Sequence, residues 1–88
     1  MKIKQDFVLR QVAGTYVVLP IGRATVDFNG MVTLNETGAF LWRLLEQGTV
    51  RDALADALCA EYSVDRETAL QDVDDFIAML EPAGCIEK

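Results

Sequence analysis

The hydrophobic pattern changes period once, at Asn35. Before it, apolar residues come in short runs broken by turn residues, and after it they recur every three and four positions. Phe7-Val-Leu-Arg-Gln-Val12 and Thr15-Tyr-Val-Val-Leu-Pro20 are rich in β-branched and aromatic residues and flank Ala13-Gly14. That pattern predicts two strands joined by a tight turn. Ala24-Thr-Val-Asp-Phe28 and Met31-Val-Thr-Leu34 flank Asn29-Gly30. Both residues of this dipeptide accept positive φ, as a type I′ hairpin turn requires. The first third of the chain therefore predicts an antiparallel meander of three to four strands.

The remainder predicts three helices. Asn35 is a good N-cap, and Glu36 favours the positive end of the helix dipole. Phe40, Leu41, Leu44 and Leu45 follow at helical spacing, and Gly48 stops the helix. Thr49-Val-Arg-Asp52 resembles a capping box with Asp in place of Glu. It opens a second helix with Val50, Ala53, Leu54, Ala57 and Leu58 on one face, ending near Tyr62. Asp65 or Ser63 caps a third helix over 65–81, striped by Ala69, Leu70, Val73, Phe76, Ile77 and Leu80. Pro82 and Gly84 end it, and Cys85-Ile86 is a candidate last extended piece. The expected class is α+β: a small antiparallel sheet followed by three helices, a winged helix-turn-helix-like layout in a single domain spanning 1–88.

Two side chains leave alternatives open. Trp42 sits one position from the first helix's main apolar face, so it is either core or an anchor for a partner. Met79 sits at the edge of the third helix's stripe, where core and an adaptable groove wall are both consistent with its flexible side chain.

Length and composition narrow the function. Eighty-eight residues supply one core and too little chain for a deep catalytic cavity as well. A hydrophobic fraction of 51% and a mean hydropathy of +0.17 argue against disorder and leave apolar surface for a partner. The net charge is −6, unevenly spread. Residues 1–48 carry five basic against four acidic residues, and residues 49–88 carry three against ten. The third helix has six acids against Arg66 alone, so placing it in a DNA major groove would set carboxylates against phosphates. Nucleic acid and anionic membranes are excluded as expected partners. Met1-Lys-Ile-Lys-Gln-Asp6 lacks the apolar core of a secretory leader, and no apolar run is long enough to span a bilayer. A cytoplasmic protein is expected, with Cys59 and Cys85 as free, small buried hydrophobes.

Catalytic chemistry finds little footing. Histidine is absent, which removes Ser-His and Cys-His nucleophile pairs. Two cysteines 26 residues apart do not make a zinc site, and the six glycines are scattered as turn and cap residues rather than gathered in a phosphate loop. No metal or cofactor is expected. Asp72, Asp74 and Asp75 form the only tight acidic group; a solvated helix face is the plain reading, and contact with a partner is the alternative. A small meander must also leave a strand edge open, and such an edge accepts an extended peptide by β-augmentation.

The order Phe7-Val-Leu-Arg10, Tyr16-Val-Val-Leu-Pro20, Leu34-Asn-Glu-Thr-Gly-Ala-Phe-Leu-Trp42, Ala69-x-x-Asp72-Val73 with Phe76 and Leu80, and Ala83-Gly84 resembles the PqqD-like family. The resemblance runs from about Phe7 to Ile86. It implies a RiPP recognition element, a module that takes the leader of a ribosomally made precursor peptide as an added strand beside the third helix. It also implies delivery to a tailoring enzyme, often a radical SAM maturase, with no chemistry of its own. On this reading Val26 and Phe28, or Val32 and Leu34, present the edge strand. Asp72, Phe76 and Met79 line the cleft, Asp75 stands at its polar rim, and the acidic helix calls for a leader with Lys or Arg beside its apolar anchors. The alternative is a small winged-helix regulator or a structural partner that dimerises through its sheet. A monomer and a homodimer are both consistent with the sequence.

Overall fold

The computed structural model describes residues 1–22 and 32–87. Strands β1 (Lys2–Ile3), β2 (Phe7–Val12), β3 (Thr15–Pro20) and β4 (Val32–Leu34) precede helices α1 (Glu36–Glu46), α2 (Arg51–Tyr62) and α3 (Arg66–Leu80), and β5 (Ile86–Glu87) closes the chain. The expected strand Ala24–Phe28 and the Asn29-Gly30 turn lie outside the described residues, and so do Val26 and Phe28.

β2 and β3 pair antiparallel from Phe7↔Pro20 to Val12↔Thr15. The two-residue turn between them has positive φ at both positions, 52° at Ala13 and 82° at Gly14. That is type I′ geometry, whose twist matches that of the strands. β4 pairs with the other side of β3, with Tyr16↔Leu34 and Val18↔Val32, so the sheet order is β2-β3-β4. Among the described strands β4 has one neighbour, and its second edge is open.

Each helix starts as local chemistry dictates, with one exception. Asn35 accepts a hydrogen bond from the Gly38 N–H at 2.7 Å and caps α1. Asp65, rather than Ser63, caps α3 by accepting from the Thr68 N–H at 3.3 Å and the Thr68 hydroxyl at 2.6 Å. The expected capping box at Thr49–Asp52 does not form. The N-cap of α2 is Val50, which makes no side-chain cap bond. The neighbouring Thr49 N–H donates to the Met1 carbonyl at 2.9 Å, tying the α1–α2 connection to the chain's first residue. Ser63 ends α2 in the left-handed conformation, φ 55°.

The core lies between the sheet and the helices, and the helices enter it with different fidelity to their patterns. α3 buries Ala69, Val73, Phe76 and Leu80, four of its six expected residues, with Leu70 and Ile77 half-buried. α2 buries Leu54, Ala55 and Leu58, while Val50 and Ala53 are exposed. α1 is turned from its expected face: it buries Leu41, Trp42 and Leu45, and leaves Phe40 and Leu44 half-buried. Phe40 instead meets Tyr62 of α2 edge to face, ring centroids 5.5 Å apart. Trp42 is the largest fully buried side chain, which settles it as core, and its indole N–H has no acceptor among the described residues.

A feature absent from the sequence reading ties the two ends together. β1 pairs antiparallel with β5 through Lys2↔Glu87 and Ile3↔Ile86, and the Lys4 N–H donates to the Cys85 carbonyl at 2.9 Å. Ile3 and Cys85 are thereby buried. Burial pushes the Cys85 thiol up to about 11, and nearby Lys4 opposes the shift. Both cysteines are free, with Cys59 half-buried. Among the described residues no helix is long and apolar enough to cross a membrane.

Candidate functional site

The open edge of β4 does not face bulk solvent directly. α3 stands across from it, and between them lies a groove of about 360 Å³. Thr33, Leu34 and Asn35 form one wall. Thr37, Gly38 and Leu41 of α1 close one side, and Asp72, Asp75, Phe76 and Met79 of α3 form the other wall.

Sequence periodicity explains which side chains reach this space. Along β4 the burial alternates, with Val32 half-buried, Thr33 exposed and Leu34 buried. Along α3, Asp72, Asp75, Phe76 and Met79 recur at three and four residues, so they share one flank of the helix. Phe76 and Leu41 are buried and give the groove an apolar floor, whereas Met79 is 43% exposed and stands on its wall. Met79 is therefore a groove residue and not core.

Gly38 decides how close α1 comes to the strand. A Cβ there would lie 3.2 Å from both Leu34 Cβ and Asn35 Oδ1. The absent side chain lets the first turn of α1 sit against β4 at the groove's corner.

Of the expected site residues, Leu34, Asp72, Asp75, Phe76 and Met79 come together in this groove. Val32 packs against the core and is not among the lining residues. Thr33, Asn35, Thr37, Gly38 and Leu41 also line the groove, though none was expected as a site residue. The usable signal was Gly38, a small residue one turn into a helix that starts immediately after a strand.

Electrostatics separates the acids by face. Asp74 points away from the groove and holds Arg51 of α2 with two hydrogen bonds, from Nε at 2.6 Å and Nη2 at 2.8 Å. This contact lowers the Asp74 carboxyl below its ordinary value and raises the Arg51 guanidinium. Arg66 lies against Asp56 and, at 3.6 Å, Asp52. Asp65 is also held low, by its bonds to Thr68. Asp75 accepts from the Gln71 amide at 2.9 Å. Among the described residues neither Asp72 nor Asp75 is paired with a cation, and no group of three or more metal-ligating side chains is present.

The Arg51–Asp74 contact has a pH signature. A carboxyl lowered in the folded state stabilises at pH values above its ordinary, unfolded value, and that contribution is lost as pH falls through the lowered folded value. Asp74→Asn should therefore lower Tm slightly at pH 7, and the gap to wild type should close during acid titration. A gap unchanged from pH 7 to pH 2 would show that the charge contributes nothing. The effect is small because both side chains are about half exposed.

Comparison with known proteins finds the same fold. The family model for coenzyme PQQ synthesis protein D (PqqD) matches residues 15–86. The structure of TbiB1 in complex with the TbiA(beta) leader peptide superposes with a TM-score of 0.79 at 33% identity, covering 99% of this chain and 95% of that one. A lasso peptide synthetase B1 complexed with the leader peptide has a similar fold, with a TM-score of 0.76 at 24% identity over 99% and 96% of the two chains. No curated protein matches. With the family model matching from β3 through β5, the chain belongs to the coenzyme PQQ synthesis protein D (PqqD) family.

Proposed function

We propose that this protein captures the leader segment of a ribosomally synthesised precursor peptide as an added strand on β4 and presents it to a tailoring enzyme, of which a radical SAM maturase is the type implied by the family. The observation that carries the reading is a β4 edge with no partner among the described strands, set beside a helix-walled groove. Backbone groups on β4 can bond an incoming strand, while the groove takes its side chains. The 33% identical TbiB1, itself in complex with a leader peptide, supports the same use of this fold.

Leu34, Phe76 and Met79 would seat apolar leader side chains, with Asp72 and Asp75 at the polar rim. Val32, Val26 and Phe28 flank or precede this edge in sequence and are assigned no side-chain pocket. The protein works on this reading as a single-domain adaptor in the cytoplasm, where precursors are made. It leaves the chemistry to its partner: the chain has no histidine, and among the described residues no cysteine or lysine lines the groove.

An NMR titration of the labelled protein with precursor leaders encoded beside its gene tests the proposal. Shifts concentrated in residues 32–41 and 72–79 are expected. No shift with any leader at high micromolar concentration would overturn it.

A further inference from the structure

The α3 wall of the groove carries two chemistries, and together they specify what kind of strand fits. Phe76 and Met79 offer an apolar seat, and Met79 is 43% exposed. Asp72 and Asp75 line the same space, and among the described residues no Lys or Arg lines it. Three acids outside the groove are differently placed: Asp74 has Arg51, and Asp52 and Asp56 share Arg66. Thus Asp52, Asp56 and Asp74 each have an arginine, and the described groove acids have no cation.

Spacing adds a register. Asp72 to Phe76 and Asp75 to Met79 are each four residues along α3, about 6 Å of helix rise. In an extended strand, side chains on one face repeat every two residues, about 6.6–6.8 Å. A strand lying along the groove can therefore set one side chain on the apolar seat and the next on the same face against the carboxylates.

Resting on the peptide-capture reading, we propose that the groove selects strands carrying Lys or Arg two positions from an apolar anchor. The cation supplies the charge the described groove lacks, and the anchor covers Met79 and Phe76. An acidic residue at that position would meet two carboxylates and be rejected.

Selection of a random decapeptide display library on the immobilised full chain tests this directly. Wild type should enrich peptides with an apolar residue and Lys or Arg two apart. Asp72→Asn/Asp75→Asn should enrich peptides that keep the apolar residue and lose the basic one. A peptide selected on wild type should bind that variant about fivefold more weakly, with a flatter salt dependence, since two partly exposed pairs are removed. Asp52→Asn/Asp56→Asn removes the same charge outside the groove and should leave the basic preference intact. Three results would overturn the proposal. Wild-type winners with no basic preference would refute it while leaving peptide capture standing. Loss of the preference in the Asp52/Asp56 variant would assign it to the overall acidity of the helices. Enrichment of no peptide on any of the proteins would remove peptide capture itself.

Discussion

Met79→Lys is expected to weaken leader binding at least about tenfold, the equivalent of about 1.4 kcal/mol, without lowering Tm. Two effects act together. The substitution removes the exposed apolar surface on the groove wall, and truncation of a well-placed apolar contact commonly costs over about 1 kcal/mol at a binding hot spot. It also places an ammonium four residues after Asp75, a spacing that lets the two side chains pair on the helix surface. That internal pair would occupy a carboxylate otherwise available to the peptide. The fold has no reason to suffer, because Met79 is 43% exposed and α3 is held by Ala69, Val73, Phe76 and Leu80. Met79→Leu keeps the apolar seat and should bind nearly as wild type. Isothermal titration with the leader identified by NMR reads the effect, and wild-type affinity in Met79→Lys would remove α3 from the binding site.

Trp42→Ala carries the largest expected loss of stability, about 3–5 kcal/mol. Trp42 is fully buried in a core that includes Leu41, Leu45, Leu54 and Leu58. Truncation removes most of its buried area and leaves a cavity that a helix locked on both sides cannot close. A chain of this size has a total stability of about 4–13 kcal/mol at the usual 0.05–0.15 kcal/mol per residue. The variant should therefore lose between about a quarter and all of that stability. Trp42→Phe should cost less, because it keeps a ring and removes the indole N–H that lacks an acceptor among the described residues. Urea denaturation measures both. A loss under about 1 kcal/mol for Trp42→Ala would mean that the side chain is not core.

Those two residues show where the sequence could and could not be read. In α1, Phe40, Leu41, Trp42, Leu44 and Leu45 make the helix apolar through most of its circumference. Periodicity then offers two nearly equal faces, and Trp42 could be assigned to either core or surface. In α3 the stripe is bordered by Asp72, Asp74, Asp75 and Glu67, so only one face can turn inward. The expected face was right there, and Asp72, Asp75 and Phe76 fell on the groove with it. Met79 lay at the boundary, where a single position of helix rotation separates core from wall. The capping box at Thr49 failed for a different reason: the Thr49 backbone N–H is engaged by Met1, a partner 48 positions away that no local motif can anticipate.

The sequence by itself determined the run from β2 and β3 into three helices, the hairpin at Ala13-Gly14, the cap at Asn35, the inward face of α3 and the family. These depend on φ preferences, side-chain-to-backbone bonds within three residues, and hydrophobic period, all of which are local. The tertiary structure alone decided that α3 stands across from the β4 edge, which flank of α3 faces it, which carboxylates find an arginine, and that β1 pairs with β5. Each of these is a contact between segments distant in sequence. Local propensity is nearly neutral about such contacts, and they are selected by how the apolar faces of the sheet and three helices can be buried together.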